Sequence, residues 1–140
     1  MSTTLTYKAY PAAAAGISRA SSGSTAWSPS AYTELVPVNT ITSTFYIAGI
    51  TLMYPNTAAV DVTQEVEIDI ATGSAGSEVI IATIPFSYRI DSAVGHQASI
   101  FIPLAEPKEV AANTRLSVRV KQSLATTSIT FSGIKIMYFN

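Results

Sequence analysis

The stretch Glu65-Val66-Glu67-Ile68-Asp69-Ile70 alternates acidic and apolar side chains without a break. A period of two puts every carboxylate on one face of a strand and every branched apolar residue on the other, whereas a helix would scatter both around its axis. A second stretch, Arg115-Leu116-Ser117-Val118-Arg119-Val120-Lys121, repeats the pattern with basic residues in polar positions. Both read as half-exposed strands. Laid side by side, they set Glu65, Glu67 and Asp69 against Arg115, Arg119 and Lys121, and each opposed pair contributes about 0.2–1 kcal/mol.

Outward from these two, other runs are apolar on both faces: Phe45-Tyr46-Ile47-Ala48-Gly49-Ile50-Thr51-Leu52 and Val79-Ile80-Ile81-Ala82-Thr83-Ile84-Pro85-Phe86. Strands of that kind must be covered on both sides, by the fold or by a neighbouring molecule. Further runs at about 32–37, 99–103 and 128–139 bring the expected count to seven strands, separated by turn-rich pieces such as Tyr54-Pro55-Asn56 and Thr72-Gly73-Ser74-Ala75-Gly76-Ser77. The apolar phase shifts at Gly49 and at Gly133, which predicts a bulge or a close strand contact at each. Pro85 lacks a ladder donor and predicts an edge or a bulge. Nesting the hairpins pairs 44–53 with 128–139, 65–71 with 115–122, and 79–88 with 99–103. That arrangement predicts an all-β jelly-roll sandwich.

Residues 1–26 differ in composition. Pro11-Ala12-Ala13-Ala14-Ala15-Gly16 runs into Ser21-Ser22-Gly23-Ser24-Thr25 with few large side chains, too few for a core of their own. The expectation is an extended N-terminal arm over 1–26, held by contacts outside itself, attached to a single domain over 27–140. The whole chain has 140 residues, the size of one domain. Charged residues make up 12% and hydrophobic ones 48%, against about 25% charged in ordinary soluble domains. Either the core is large or apolar surface is covered by other chains, which predicts self-association.

The net charge of −1 offers no basic field for nucleic acid or an anionic membrane. The apolar runs are too short to span a bilayer as helices, and Met1 to Tyr10 lacks a leader pattern, so the reading is a soluble, unexported chain. With no cysteine and a single histidine, His96, thiolate sites and multi-histidine metal centres are excluded. The Glu65, Glu67, Asp69 row could in principle collect a Ca²⁺ ion, but basic neighbours are the simpler company. The glycines at 73 and 76 resemble a phosphate loop only in number, because no Lys follows and strands flank them. A Ser, His96 and Asp91 triad would be the one enzymatic arrangement, and nothing resembles a nucleophile elbow around it. The expectation is therefore a non-enzymatic chain with no cofactor and no metal. Its candidate interface residues are Tyr7, Tyr10 and Ile17 in the arm, with Trp27, Tyr32, Tyr54 and His96 beyond it.

The succession from Glu65 through the loop Thr72-Gly73-Ser74-Ala75-Gly76-Ser77 to Pro85, followed by Ile102-Pro103-Leu104 and Val110-Ala111-Ala112-Asn113-Thr114-Arg115-Leu116, resembles small virion structural proteins of tailed bacteriophages over about 27–139. That resemblance implies a jelly-roll protein without catalytic residues that decorates or cements the outer surface of a phage head. Its implied partners are the major capsid protein and copies of itself, as a homotrimer, with synthesis in the host cytoplasm. No residue role carries over with it. The rival expectation is a glycan-binding module on a phage fibre or surface appendage, using Tyr54, Tyr88 and the loops.

Overall fold

The computed structural model describes residues 5–12, 16–20, 25–53, 62–90, 99–124 and 129–140. Nine strands lie among them: β1 (Lys8–Tyr10), β2 (Ile17–Ala20), β3 (Thr33–Val36), β4 (Phe45–Met53), β5 (Val62–Thr72), β6 (Val79–Ile90), β7 (Ser99–Val110), β8 (Leu116–Gln122) and β9 (Thr130–Phe139). Among the described residues no helix is long and apolar enough to cross a membrane. Two antiparallel sheets pack face to face as a β-sandwich. One has the order β1-β9-β4-β7, with β2 also on β9, and the other has the order β3-β8-β5-β6.

The inner faces follow directly from the alternation. Val66, Ile68 and Ile70 of β5 and Leu116, Val118 and Val120 of β8 meet Phe45, Ile47, Ile50 and Leu52 of β4 and Phe131, Ile134 and Ile136 of β9, all nearly inaccessible to solvent. Full burial stabilises each large apolar side chain by about 1.5–3 kcal/mol, so this layer is the main source of cohesion.

Gly49 and Gly133 mark the phase shifts as expected. On β4 the inward residues change from Phe45 and Ile47 to Ile50 and Leu52 across Gly49, where the ladders to β7 and β9 both slip. A Cβ on Gly49 would lie 2.3 Å from the carbonyl oxygen of Ile102 and 2.8 Å from Cα of Pro103, so only glycine lets β7 come this close. Gly133 is approached in the same way by Gly16, whose Cβ would lie 2.6 Å from the Gly133 carbonyl carbon.

The expected pairs of 44–53 with 128–139 and of 65–71 with 115–122 are both present. The third expected pair, 79–88 with 99–103, is not. β6 pairs with β5 across the tight turn after Thr72, and β7 pairs with β4 in the other sheet. The physical reason lies in the arm. Lys8↔Tyr138, Ala9↔Met137 and Tyr10↔Ile136 continue as Ile17↔Ile134, Arg19↔Phe131 and Ala20↔Thr130, so β1 and β2 form one interrupted strand along the outer edge of β9. Once the first strand takes the edge of the last, the nest moves by one position: the arm with β9, β3 with β8, β4 with β7, and β5 with β6. Strands β6 and β7 are then the terminal strands of their sheets, and Pro85, Pro103 and Pro107 all sit on them, where a missing N–H costs no ladder bond.

Candidate functional site

The sandwich has two outward faces, and they differ in chemistry. On the β3-β8-β5-β6 sheet the outward residues are charged and joined across the strands. Arg119 Nε donates to Asp69 Oδ2 at 2.8 Å, Thr83 Oγ1 donates to Asp69 Oδ1 at 2.7 Å, and Lys121 Nζ lies 2.7 Å from Glu67 and 3.4 Å from Asp69. Arg115 reaches Glu34 at 2.7 Å and Glu78 at 3.4 Å and donates to the Gly73 carbonyl at 2.9 Å. The guanidinium of Arg119 also covers the Tyr32 ring, 4.8 Å from its centroid.

Asp69 has no exposed surface. Burial pushes its carboxyl up, but the bonds from Arg119 and Thr83 and the charges of Lys121 and Arg119 outweigh that and hold it below the usual aspartate range. Burial likewise raises the Tyr32 hydroxyl, with Arg119 opposing it. Among the described residues no group of three His, Asp or Glu is arranged to hold a metal ion. Glu67 and Asp69 are committed to Lys121 and Arg119, whereas Arg115, expected opposite the same row, turns to Glu34 and Glu78, and Glu65 stays exposed. The sequence places opposite charges on facing strands, yet it did not reveal that one of them, Asp69, would be removed from water altogether.

The outward face of the β1-β9-β4-β7 sheet is built differently. Side by side run Tyr7, just before β1, then Phe139 on β9, Tyr46 on β4 and Glu109 on β7. Tyr7 meets Phe139 edge to face at 5.6 Å, Phe139 stacks on Tyr46 at 5.3 Å, and the Tyr46 hydroxyl donates to Glu109 at 3.0 Å. That bond, and the carboxylate's charge, raise the Tyr46 hydroxyl above the ordinary tyrosine value. The neighbouring row is small or flat: Ala9 and Met137 on β1 and β9, Ala48 and Gly49 on β4, Pro103 on β7. Beyond it, Lys135, Thr51 and Phe101 form a third row.

Between the two bulkier rows lies a groove of about 510 Å³ lined by Tyr7, Ala48, Thr51, Phe101, Pro103, Leu104, Pro107 and Met137. β7 shapes one end of it, because Leu104, Ala105, Glu106 and Pro107 together oppose Ala48 alone in the ladder between Ile47↔Lys108 and Gly49↔Pro103. Phe101 is 51% exposed and Tyr7 54%, although an outward sheet face in contact with water ordinarily carries polar side chains.

Of the residues singled out from the sequence, Tyr7 stands on this apolar face. Tyr10 and Ile17 turn the other way and pack, half buried, against the core. Tyr32 lies under Arg119 on the charged face, and Trp27 stands at the rim of that same face. Tyr54, Asp91 and His96, and the side chain of Tyr88, lie outside the described residues. Phe101, Pro103, Met137 and Phe139 were not singled out. Their signal was the run of apolar residues on both faces of one strand, as in Ile136-Met137-Tyr138-Phe139, which demands a second cover without naming it. No protein-family model matches the chain, and no curated protein is significantly similar to it in sequence.

Proposed function

We propose that this chain is a non-enzymatic structural subunit that works by covering surface, and that the apolar outer face of the β1-β9-β4-β7 sheet is where it associates with protein. The carrying observation is the contrast between its two outward faces. Glu65, Glu67, Asp69, Arg115, Arg119 and Lys121 populate one, while Tyr7, Ala9, Tyr46, Ala48, Phe101, Pro103, Met137 and Phe139 populate the other. Continuous exposed apolar patches of this kind mark interaction surfaces on soluble domains, and aromatic and methionine side chains are those enriched in interface cores.

The setting we propose is the outer surface of a tailed-phage head, with the major capsid protein and further copies of the chain, as a trimer, for partners. Support for that setting comes from the sequence resemblance and from the nested pairing of the arm with β9, β3 with β8, β4 with β7 and β5 with β6, which suits the jelly-roll we propose. Virion shells and their attachments are among the known uses of that architecture.

The test is association by sedimentation velocity, comparing the parent chain with Phe101→Glu/Met137→Glu, a double variant confined to the outward face. The parent chain is expected as an oligomer at micromolar concentration and the variant as a monomer with an unchanged far-ultraviolet circular dichroism spectrum. A monomeric parent chain that also fails to rebind phage particles stripped of it would overturn the reading.

A further inference from the structure

The chain has one tryptophan, Trp27, and its placement is specific. Its backbone adopts φ +62°, a conformation that bulky L side chains rarely take. The conformation is pinned along β8. Trp27 N donates to the Gln122 carbonyl at 2.7 Å, Ser30 N donates to the Val120 carbonyl at 3.0 Å, and the buried Ser30 hydroxyl accepts from Val120 N at 3.0 Å. A loop so tethered could turn its indole inward, but Trp27 remains 41% exposed. It forms one wall of a cleft of about 310 Å³, whose other walls come from Glu65, Glu67, Pro85, Phe86 and Ser87.

The polar groups around this cleft include both hydrogen-bond acceptors and donors. Glu65 and Ser87, paired across β5 and β6, are exposed, and Glu67 shares its charge with Lys121 at 2.7 Å. A site for a cation would present carboxylates without an ammonium group beside them. A polyhydroxylated ring, by contrast, needs a flat apolar wall for its C–H face and both donors and acceptors around its edge, because each hydroxyl gives and takes a bond.

We propose that the Trp27 cleft is a carbohydrate subsite that takes one neutral sugar ring stacked on the indole, with Glu65 and Glu67 accepting from its hydroxyls and Ser87 completing the rim. The cleft lies on the sheet opposite the apolar groove, so sugar binding and protein association do not compete for surface.

Because Trp27 is the only indole, its emission reports this site alone. The experiment titrates the full chain with a panel of neutral oligosaccharides, trimers of glucose, of galactose and of N-acetylglucosamine, and follows emission and acrylamide quenching. At least one trimer is expected to give a saturable spectral change and to protect Trp27 from quenching. Glu65→Gln, which retains the reporter, is expected to weaken that binding about tenfold, as loss of a charge-assisted hydrogen bond does. Trp27→Phe, checked by calorimetry and with its melting temperature as the folding control, is expected to weaken it further. No saturable response to any of the trimers overturns the proposal. So does a response to tetramethylammonium without one to sugars, which would make the cleft a cation site, and so does unchanged affinity in Glu65→Gln.

Discussion

Arg119→Met tests the inference that Asp69 is a fully buried charge kept tolerable by its partners. Methionine preserves the apolar stem of the side chain over β5 and removes only the guanidinium. Asp69, with no exposed surface, would be left with the Thr83 hydroxyl at 2.7 Å and the Lys121 ammonium at 3.4 Å. Removing one partner of a buried pair costs about 3–5 kcal/mol. The Arg119 side chain retains 23% exposure and Lys121 remains, so the cost falls below that range, to about 2–3 kcal/mol. Loss of the guanidinium from the Tyr32 ring adds about 0.5–1 kcal/mol. A total near 3 kcal/mol lowers the melting temperature of a domain this size by about 10 °C.

Adding Asp69→Asn to Arg119→Met removes the stranded charge and is expected to restore about half of the loss, giving a coupling of about 1–2 kcal/mol in a double-mutant cycle. Differential scanning calorimetry of the four proteins at neutral pH measures it. A single variant that melts within about 2 °C of the parent, or strictly additive effects, would refute the account of Asp69 as a paired buried charge.

The pH dependence follows from the same residue. Because the folded carboxyl of Asp69 sits below its unfolded value of about 3.9, its contribution is fully present above that value and is lost as pH falls through the lower folded one; Asp69→Asn is therefore expected to flatten the acid limb of a plot of stability against pH. Gly49→Ala is expected to cost about 2–3 kcal/mol by overpacking against β7, read as a lower urea midpoint with an unchanged slope. Deleting residues 1–20 removes Tyr10 and Ile17 from the core margin and uncovers the edge of β9; the circular dichroism spectrum should stay β-like while stability falls by about 2–4 kcal/mol and aggregation rises. Glu109→Gln is expected to return the Tyr46 hydroxyl toward its ordinary titration, followed by NMR of the ring resonances, because the carboxylate is the main cause of its rise.

The alternation in Glu65 to Ile70 and Arg115 to Lys121 was enough to place β5 beside β8, because a two-residue period and complementary charge agree on one register. The phase shifts at Gly49 and Gly133 were equally legible, since an inward apolar set cannot change parity along a strand without an irregularity. The arm was not legible as strand. Ala-, Ser- and Gly-rich sequence carries no alternation, and only Tyr10 and Ile17 anchor it. Without that first strand the nest of hairpins starts one position late, and β6 is assigned to β7 in place of β5. The second half of β7 lies beyond the expected run at 99–103 for a related reason: Glu106, Pro107 and Lys108 have low strand propensity, which pairing with β4 overrides. The apolar groove could be foreseen only as a demand for cover. Which face of which sheet met that demand depended on the register at Gly49, where a single small residue admits the bulge of β7.

The place of β9 has a consequence for how the molecule is made. It follows the other eight strands in sequence, yet it lies inside its sheet, with the arm on one side and β4 on the other. During synthesis, at roughly 5–20 residues per second, the growing chain can close the β5–β6 hairpin early. The arm and β4 must wait several seconds for the strand that joins them. Until residues 130–139 leave the ribosome, Phe131, Ile134 and Ile136 are missing from the inner face beside Ile47, Ile50 and Leu52, and the part of the core they close stays open to water. Completion of the sandwich is thus a late step, governed by contacts distant in sequence and correspondingly slow. Nascent chains stalled before Thr130 should remain sensitive to protease throughout, while those released with β9 should become resistant as a unit.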